Sequence, residues 1–474
     1  MKRYHGELLW RYSVVATLAW GAGAFGSNYP WAYTPLVTAA SVLGIAGLHL
    51  GQYFSHLNVS FVTALGLIAL STLLQLVPLP IEWIATLSPR APAIVAQQDL
   101  LFALGGSDTH SISIDPSRTK LGIAFLVSFS LLMLGTCAVL TSTMANRLAA
   151  AIVALGAVLA AIGIVQRGIY NGKIYGFWEP FQPGAAPFGP FVNRNHFAGW
   201  MLMVVPVALG YFLGIISQAM RGRDGGLRSM ILWFASEQAN RATLTGFAVL
   251  IMVLSVALTS SRSGIIGLGV TFILAGTVMV RRQTVQRRVF TRVYLILVAL
   301  VVFGWVGLDQ IARRFVQGDG DGVALIGRPA IWADAARIAR DFWLTGTGLN
   351  TFGVATLFYQ TSLPGQHLRE AHSEYLQLAA EGGLLVGAPI ILSILAFGRE
   401  VRRRLHDDGG TSWWLRMGAV AGILAVAFQS IAEFSLQMPG NAAMFAVLAG
   451  LAIHDGRRFA PDERTANIGR RSRE

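Results

Sequence analysis

What most constrains this chain is the recurrence of apolar runs, nearly all of them about long enough to cross a hydrocarbon core of roughly 30 Å. They fall at roughly 12–27, 35–51, 59–79, 120–142, 148–166, 196–217, 241–259, 264–280, 293–308, 375–397, 416–434 and 438–454. Lipid offers a backbone no hydrogen-bond partners, so each run has to satisfy its own N–H and C=O groups as a helix. The sequence therefore predicts an all-α polytopic membrane protein with about twelve transmembrane helices and a large external loop containing short helices. Composition agrees, since 54% of the 474 residues are hydrophobic and only 13% are charged, too apolar for a soluble chain of this length. No repeat, low-complexity segment or soluble module interrupts the pattern, and 1–474 reads as a single membrane domain. The basic start and apolar stretch within residues 1–30 read as a retained first helix rather than a cleaved leader.

A formal charge of +13 raises the question of nucleic acid, but the basic residues stand in short clusters between the apolar runs. That is an orientation signal, and no nucleic-acid partner is expected. With Lys2, Arg3 and Arg11 taken as cytoplasmic, the same side receives Arg147, then Arg221, Arg223, Arg228 and Arg241, then Arg281, Arg282, Arg287, Arg288 and Arg292. It also receives Arg399, Arg402, Arg403, Arg404 and Arg416 and the arginine-rich tail, so both termini are expected in the cytoplasm. The single cysteine, Cys137, excludes a disulfide framework and a cysteine metal site. There is no Gly-Lys-Ser/Thr phosphate loop, so nucleotide-driven transport has no engine here.

Three external connections, about 80–118, 167–195 and 309–374, exceed ordinary turn length, and loops of that length commonly carry function. In the last, Gly327-Arg328-Pro329 opens an apolar stripe of Ile331, Ala335, Ile338, Ala339 and Phe342, with Asp334, Arg337 and Asp341 elsewhere on the wheel. This predicts an interfacial helix that stops at Gly346-Thr347-Gly348-Leu349-Asn350. Asp319-Gly320-Asp321 has the spacing of a metal-binding carboxylate pair but reads better as a Gly-rich turn.

On this topology four polar groups share one face of the membrane. Arg194 stands before the sixth run, Arg262 in the tight turn Ser260-Ser261-Arg262-Ser263-Gly264, Arg328 at the start of the loop helix, and His372 above the tenth run. A guanidinium pairs bidentately with phosphate oxygens at any working pH, so such arginines suit a lipid diphosphate. A neutral histidine can take an acceptor's proton, and the set describes glycosyl transfer without a metal. His196 can equally be the functional imidazole, and Glu381 and Glu433 stand where either can pair with an arginine. Against this, arginines at helix ends often only snorkel or bind head groups, and a helix-end histidine can be satisfied by a carbonyl.

These residues also resemble the O-antigen ligase and O-antigen polymerase superfamily of bacterial envelope glycan enzymes. The resemblance rests on Phe191-Val192-Asn193-Arg194-Asn195-His196-Phe197-Ala198, Ser261-Arg262-Ser263-Gly264, Gly327-Arg328 with Trp332, and Gly346-Thr347-Gly348. His372-Ser373-Glu374-Tyr375-Leu376-Gln377-Leu378, with Glu381 and Gly382, is similar to the family's histidine motif. The resemblance implies an inverting, metal-independent transferase at the periplasmic face of a bacterial inner membrane, with no cofactor and no nucleotide. Its donor would be an undecaprenyl-diphosphate-linked glycan, and its acceptor lipid A-core for a ligase or a lipid-linked glycan for a polymerase, with ligase-type transfer favoured. Arg194 and Arg262 would hold the diphosphate and His372 would assist the acceptor, while Arg328, His196, Glu374 and Glu381 fall to substrate binding. Protein O-glycosylation is a further member activity. A carrier of a small solute such as bicarbonate is the alternative of another class, although a carrier is expected to place its ionisable groups near mid-membrane.

Overall fold

The computed structural model describes residues 2–51, 58–181, 185–219, 236–283, 285–306, 327–361, 367–408 and 410–456. Arg221, Arg223, Arg228, the Asp319-Gly320-Asp321 turn and the tail arginines lie outside the described residues. A helix occupies each of the twelve apolar runs, and the chain is an all-α polytopic membrane protein. Among the described residues, seven helices are long and apolar enough to cross a membrane: Pro30–Leu50, Pro116–Val139, Ser142–Gly168, Arg194–Ala219, Glu237–Thr259, Arg262–Arg281 and Glu374–Asp407. Lys2–Gly23, Val59–Leu74, Val285–Val306, Thr411–Gln429 and Pro439–Ile453 fill the other runs. The eleventh run ends earlier than its apolarity suggests, because its helix stops at Gln429 and residues 430–438 form a connection outside the helix.

Helix Arg194–Ala219 is apolar on all sides and buried almost throughout, as a helix without a polar face must be. Helices Ser142–Gly168, Glu237–Thr259, Arg262–Arg281, Thr411–Gln429 and Pro439–Ile453 surround it. Lipid tails are as apolar as leucine, so close backbone approach through small residues holds such helices together. Gly418 and Gly422 serve this purpose here, since a Cβ at either would stand 2.5 Å from the Pro206 or Met203 carbonyl oxygen.

Above one end of this bundle the first and last long connections fold against each other. Strands Pro78–Pro80 and Thr109–Ser111 pair antiparallel, and the helices between them pack on helices Gly327–Asp341 and Phe352–Tyr359. Their shared core includes Ile84, Ile94, Ile114, Ala335, Ile338, Phe342 and Phe352. The apolar stripe expected to lie on lipid is thus covered by protein: Ile331, Ala335 and Ile338 are fully buried. The interfacial reading missed this because a period of 3.6 residues says that a face is apolar, not what covers it.

This layer is fastened to the bundle at the glycine turn. Gly346 and Gly348 both have positive φ (68° and 108°). Helix Glu374–Asp407 is broken at Gly383 (φ 53°, ψ −156°), where Leu384 and Leu385 donate their N–H groups to the Trp343 and Leu344 carbonyls. Gln75 Nε2 bonds the Thr345 and Glu381 carbonyls at 2.9 Å each, and its Oε1 accepts from Leu349 N at 3.1 Å. At the opposite end of the bundle, part of the arginine cluster read as an orientation signal is internal. Arg404 is buried and pairs with Glu400, and Arg416 is 1% exposed and donates to the Ala452 and His454 carbonyls.

Gly346→Ala is expected to destabilise the protein by about 2–4 kcal/mol, because it adds strain at positive φ and drives a methyl into the Glu381 carbonyl. A thermal unfolding midpoint equal to that of the wild type in detergent would refute this.

Candidate functional site

Two features build the arginine layer at the end of the bundle beneath these loops. Helix Glu237–Thr259 ends on Ser260 in the left-handed conformation (φ 55°), and Ser261 caps the next helix through its side chain, which accepts from Gly264 N at 3.2 Å. That reversal places Arg262 at the first position of helix Arg262–Arg281. Arg194 opens helix Arg194–Ala219, its backbone N–H bonded to the Ala186 carbonyl at 2.7 Å. A cleft of about 280 Å³ lies between Arg194 and the Ser260 turn, lined by Arg167, Tyr170, Phe188, Arg194, Thr259 and Ser260 among others, with Arg262 outside its lining.

Beside it, four elements converge on one carboxylate. Glu433, in the connection after helix Thr411–Gln429, is 1% exposed. Its Oε1 accepts from Arg328 at 2.5 Å, from Asn195 Nδ2 at 2.8 Å and, at 3.4 Å, from Ser263 Oγ. Asn195, Ser263 and Arg328 come from the first turns of three different helices. The Arg328–Glu433 pair is therefore a buried one, in which losing either partner strands a charge at a cost of about 3–5 kcal/mol. Gln429 adds to the lattice by donating to the Asn195 carbonyl at 3.0 Å and accepting from Ser435 Oγ at 3.0 Å.

The neighbouring Phe434 gathers the two histidines. Its ring meets His196 and His372 edge-on, with centroids 4.7 and 4.8 Å apart. His372 has positive φ (51°), a strained backbone for a residue with a Cβ, of the kind that persists where surrounding structure imposes it. Burial, and then the Arg328 guanidinium, hold its pKa down to about 4, so its imidazole is neutral at pH 7. Burial pushes the Glu433 carboxyl upward, while Arg328, Asn195 and Ser263 pull it back. Among the described residues no group of three or more His, Cys, Asp or Glu side chains is arranged to hold a metal.

Residues 247–391 match the family model described as O-antigen ligase. The match supports assignment of the chain to the O-antigen ligase superfamily, and with it a glycan-transferring enzyme of the ligase or polymerase type. No curated protein matches the chain. The matched segment contains Arg262, Arg328, His372, Glu374 and Glu381, whereas Arg194, His196 and Glu433 lie outside it. The site is therefore assembled from the matched segment, from helix Arg194–Ala219 before it and from the connection after helix Thr411–Gln429.

Of the residues singled out in the sequence, Arg328, His196 and His372 come together around Glu433 and Phe434, and Arg194 lines the adjoining cleft. Two carboxylates are engaged by the fold instead. Glu374 accepts from Leu436 N at 2.8 Å, Gln437 N at 3.2 Å and Gln437 Nε2 at 2.8 Å, which staples the histidine loop to the Glu433 turn. Glu381 pairs with no arginine among the described contacts; it accepts from Asn350 N at 2.8 Å and Phe352 N at 3.0 Å, capping the helix after the glycine turn. Sequence reasoning quoted Asn195 and Ser263 within their motifs without giving them a role, and it overlooked Phe434 and the cleft residue Arg167. Glu433 was read as able to pair with an arginine, and it pairs with Arg328, as a lone carboxylate at the edge of an apolar run is costly unless partnered.

The His372 imidazole is expected to stay neutral from about pH 8 down to about pH 5.5, whereas an unperturbed histidine titrates near 6.5. NMR of ring-labelled protein checks this, and a midpoint near 6.5 would show that the loop does not bury the ring.

Proposed function

We propose that this protein is a periplasm-facing, metal-independent glycosyltransferase of the inner membrane that moves a glycan from an undecaprenyl-diphosphate carrier to an acceptor hydroxyl, with lipid A-core as the acceptor. The observation that carries this reading is the pairing of an arginine-lined cleft with an adjoining buried site holding two histidines, Arg328 and a carboxylate, in a chain whose residues 247–391 match the O-antigen ligase family model. In such a transfer the acceptor oxygen attacks the anomeric carbon from the face opposite the leaving diphosphate, and inversion follows. Negative charge grows on the departing phosphate, where Arg194 and Arg262 meet it without reorganising, the condition under which fixed cations lower a barrier most. Holding donor and acceptor in line supplies a further large share of the rate. Neutral His372 hydrogen-bonds the acceptor and aligns its hydroxyl. A polymerase uses the same donor clamp and differs only in the acceptor, so the assay distinguishes the two. A transport reading draws no support from polar groups gathered at one end of the bundle rather than at mid-membrane.

Purified protein in EDTA and without nucleotide, given an undecaprenyl-diphosphate glycan, is expected to glycosylate lipid A-core. Arg262→Ala and His372→Ala are each expected to lower kcat/KM by about 100-fold or more, in the range that single preorganised donors contribute. Longer lipid-linked glycan without core product would make the protein a polymerase. Transfer to neither acceptor by folded protein would refute glycosyl transfer.

A further inference from the structure

Forming a glycosidic bond releases the proton of the acceptor hydroxyl, and a group within hydrogen-bonding reach has to receive it. Resting on the glycosyl-transfer reading, we infer that Glu433 is that group, with its Oε2 atom directed at the acceptor hydroxyl. Nothing in the family match touches this residue, which lies beyond the matched segment.

The two oxygens of Glu433 are unequal. Oε1 is saturated by Arg328, Asn195 and Ser263, which fix the carboxylate plane from three helices. Oε2 is buried and has no hydrogen-bond partner among the described residues. A buried carboxylate oxygen left unsatisfied costs about 1–3 kcal/mol or more, and such atoms in folded proteins call for a specific explanation. Two further buried polar atoms nearby share the condition, His196 Nε2 and His372 Nδ1, and both rings pack on the residue next to Glu433. Three unsatisfied polar atoms around one phenyl ring describe a place that a hydroxyl-bearing molecule completes.

The charges assign the proton among these groups. His372, held down to about 4 by burial and by Arg328, is a weak proton sink. Glu433 is displaced in the opposite direction by burial, so proton transfer to it is easier than to an ordinary carboxylate. The groups that face it are Arg328 from the loop helix, Asn195 from helix Arg194–Ala219 and Ser263 beside Arg262, while His196 and His372 pack on the adjoining Phe434. In the step itself, the acceptor O–H bond breaks and its proton goes to Oε2. An oxygen lone pair forms the bond to the anomeric carbon as the bond from that carbon to the diphosphate oxygen breaks, its electron pair leaving with the diphosphate. Glu433 ends as a neutral acid, and Arg328 no longer has a full anionic partner and is left to face the newly charged diphosphate.

Glu433→Gln is the decisive variant, because its carbonyl oxygen still accepts from Arg328, Asn195 and Ser263 while the amide nitrogen removes the proton acceptor. The full chain in lipid nanodiscs, with an undecaprenyl-diphosphate glycan and either lipid A-core or a second lipid-linked glycan, is expected to lose about 100-fold or more in kcat. Its donor KM is expected to stay within about threefold, and Glu433→Asp to recover part of the rate. A kcat within about twofold of the wild type would overturn the assignment. So would a raised donor KM with kcat intact, which would leave Glu433 only as a positioning residue for Arg328. If the glutamine variant does not fold, the wild-type pH profile of kcat decides: an acid limb above the ordinary carboxylate range supports the assignment, and a flat profile from about pH 5 to 8 overturns it. A wild type that transfers to neither acceptor overturns glycosyl transfer and this inference with it, whereas a wild type matched by Glu433→Gln overturns this inference alone.

Discussion

A carboxylate buried at the mouth of an apolar bundle cannot stand alone, and the way Glu433 is accommodated organises everything around it. Its partners are drawn from the first turns of helices Arg194–Ala219, Arg262–Arg281 and Gly327–Asp341, so one oxygen atom ties together elements far apart in the chain. Taking Glu433 out of water is expensive, and the Arg328 guanidinium with two neutral donors offsets that cost. The result is less a source of stability than of geometry: any shift of those helices would leave a charge unpaired. The cationic end of the bundle is thereby held in one arrangement, which suits a site that has to receive developing negative charge without rearranging.

A second junction keeps the covering layer in place. Gly346 passes so close to helix Glu374–Asp407 that no side chain fits there, and the helix itself breaks at Gly383 to share its hydrogen bonds with residues 343 and 344. Gln75 and Glu381 fill the remaining donor and acceptor needs of this turn. Glu374 then fastens the histidine loop to the connection that carries Glu433 and Phe434. Two acidic residues of the histidine motif are thus engaged in holding backbone. His372 packs its ring against Phe434 in that connection.

Much of this was legible beforehand, for reasons specific to particular residues. The twelve helices follow from apolar run length, because lipid enforces a helix wherever a run is buried in it. Arg262, Arg194 and His372 were singled out by their places at helix ends, and the helices do begin at Arg194 and Arg262 and just after His372. Glu374 and Glu381 were read as substrate-binding groups and accept backbone N–H groups here, because a carboxylate beside a glycine turn looks the same in sequence whether it meets a substrate or a backbone N–H. The loop helix was expected on lipid and lies under protein, because the segment that covers it, around Ile84, Ile94 and Ile114, is more than 200 residues away in the chain.

By itself the sequence determined what hydropathy and local chemistry determine: an all-α membrane protein, its helices, and the arginines and histidines stationed at their ends. Only the tertiary structure decided which of those groups meet. A salt bridge between Arg328 and Glu433, a phenyl ring shared by His196 and His372, and a cleft formed by Arg194 and the Ser260 turn each join residues whose separation in the chain carries no signal of contact. Periodicity and turn chemistry act over a few residues. Pairing a buried charge acts through space, so its outcome is written only where the helices have already packed.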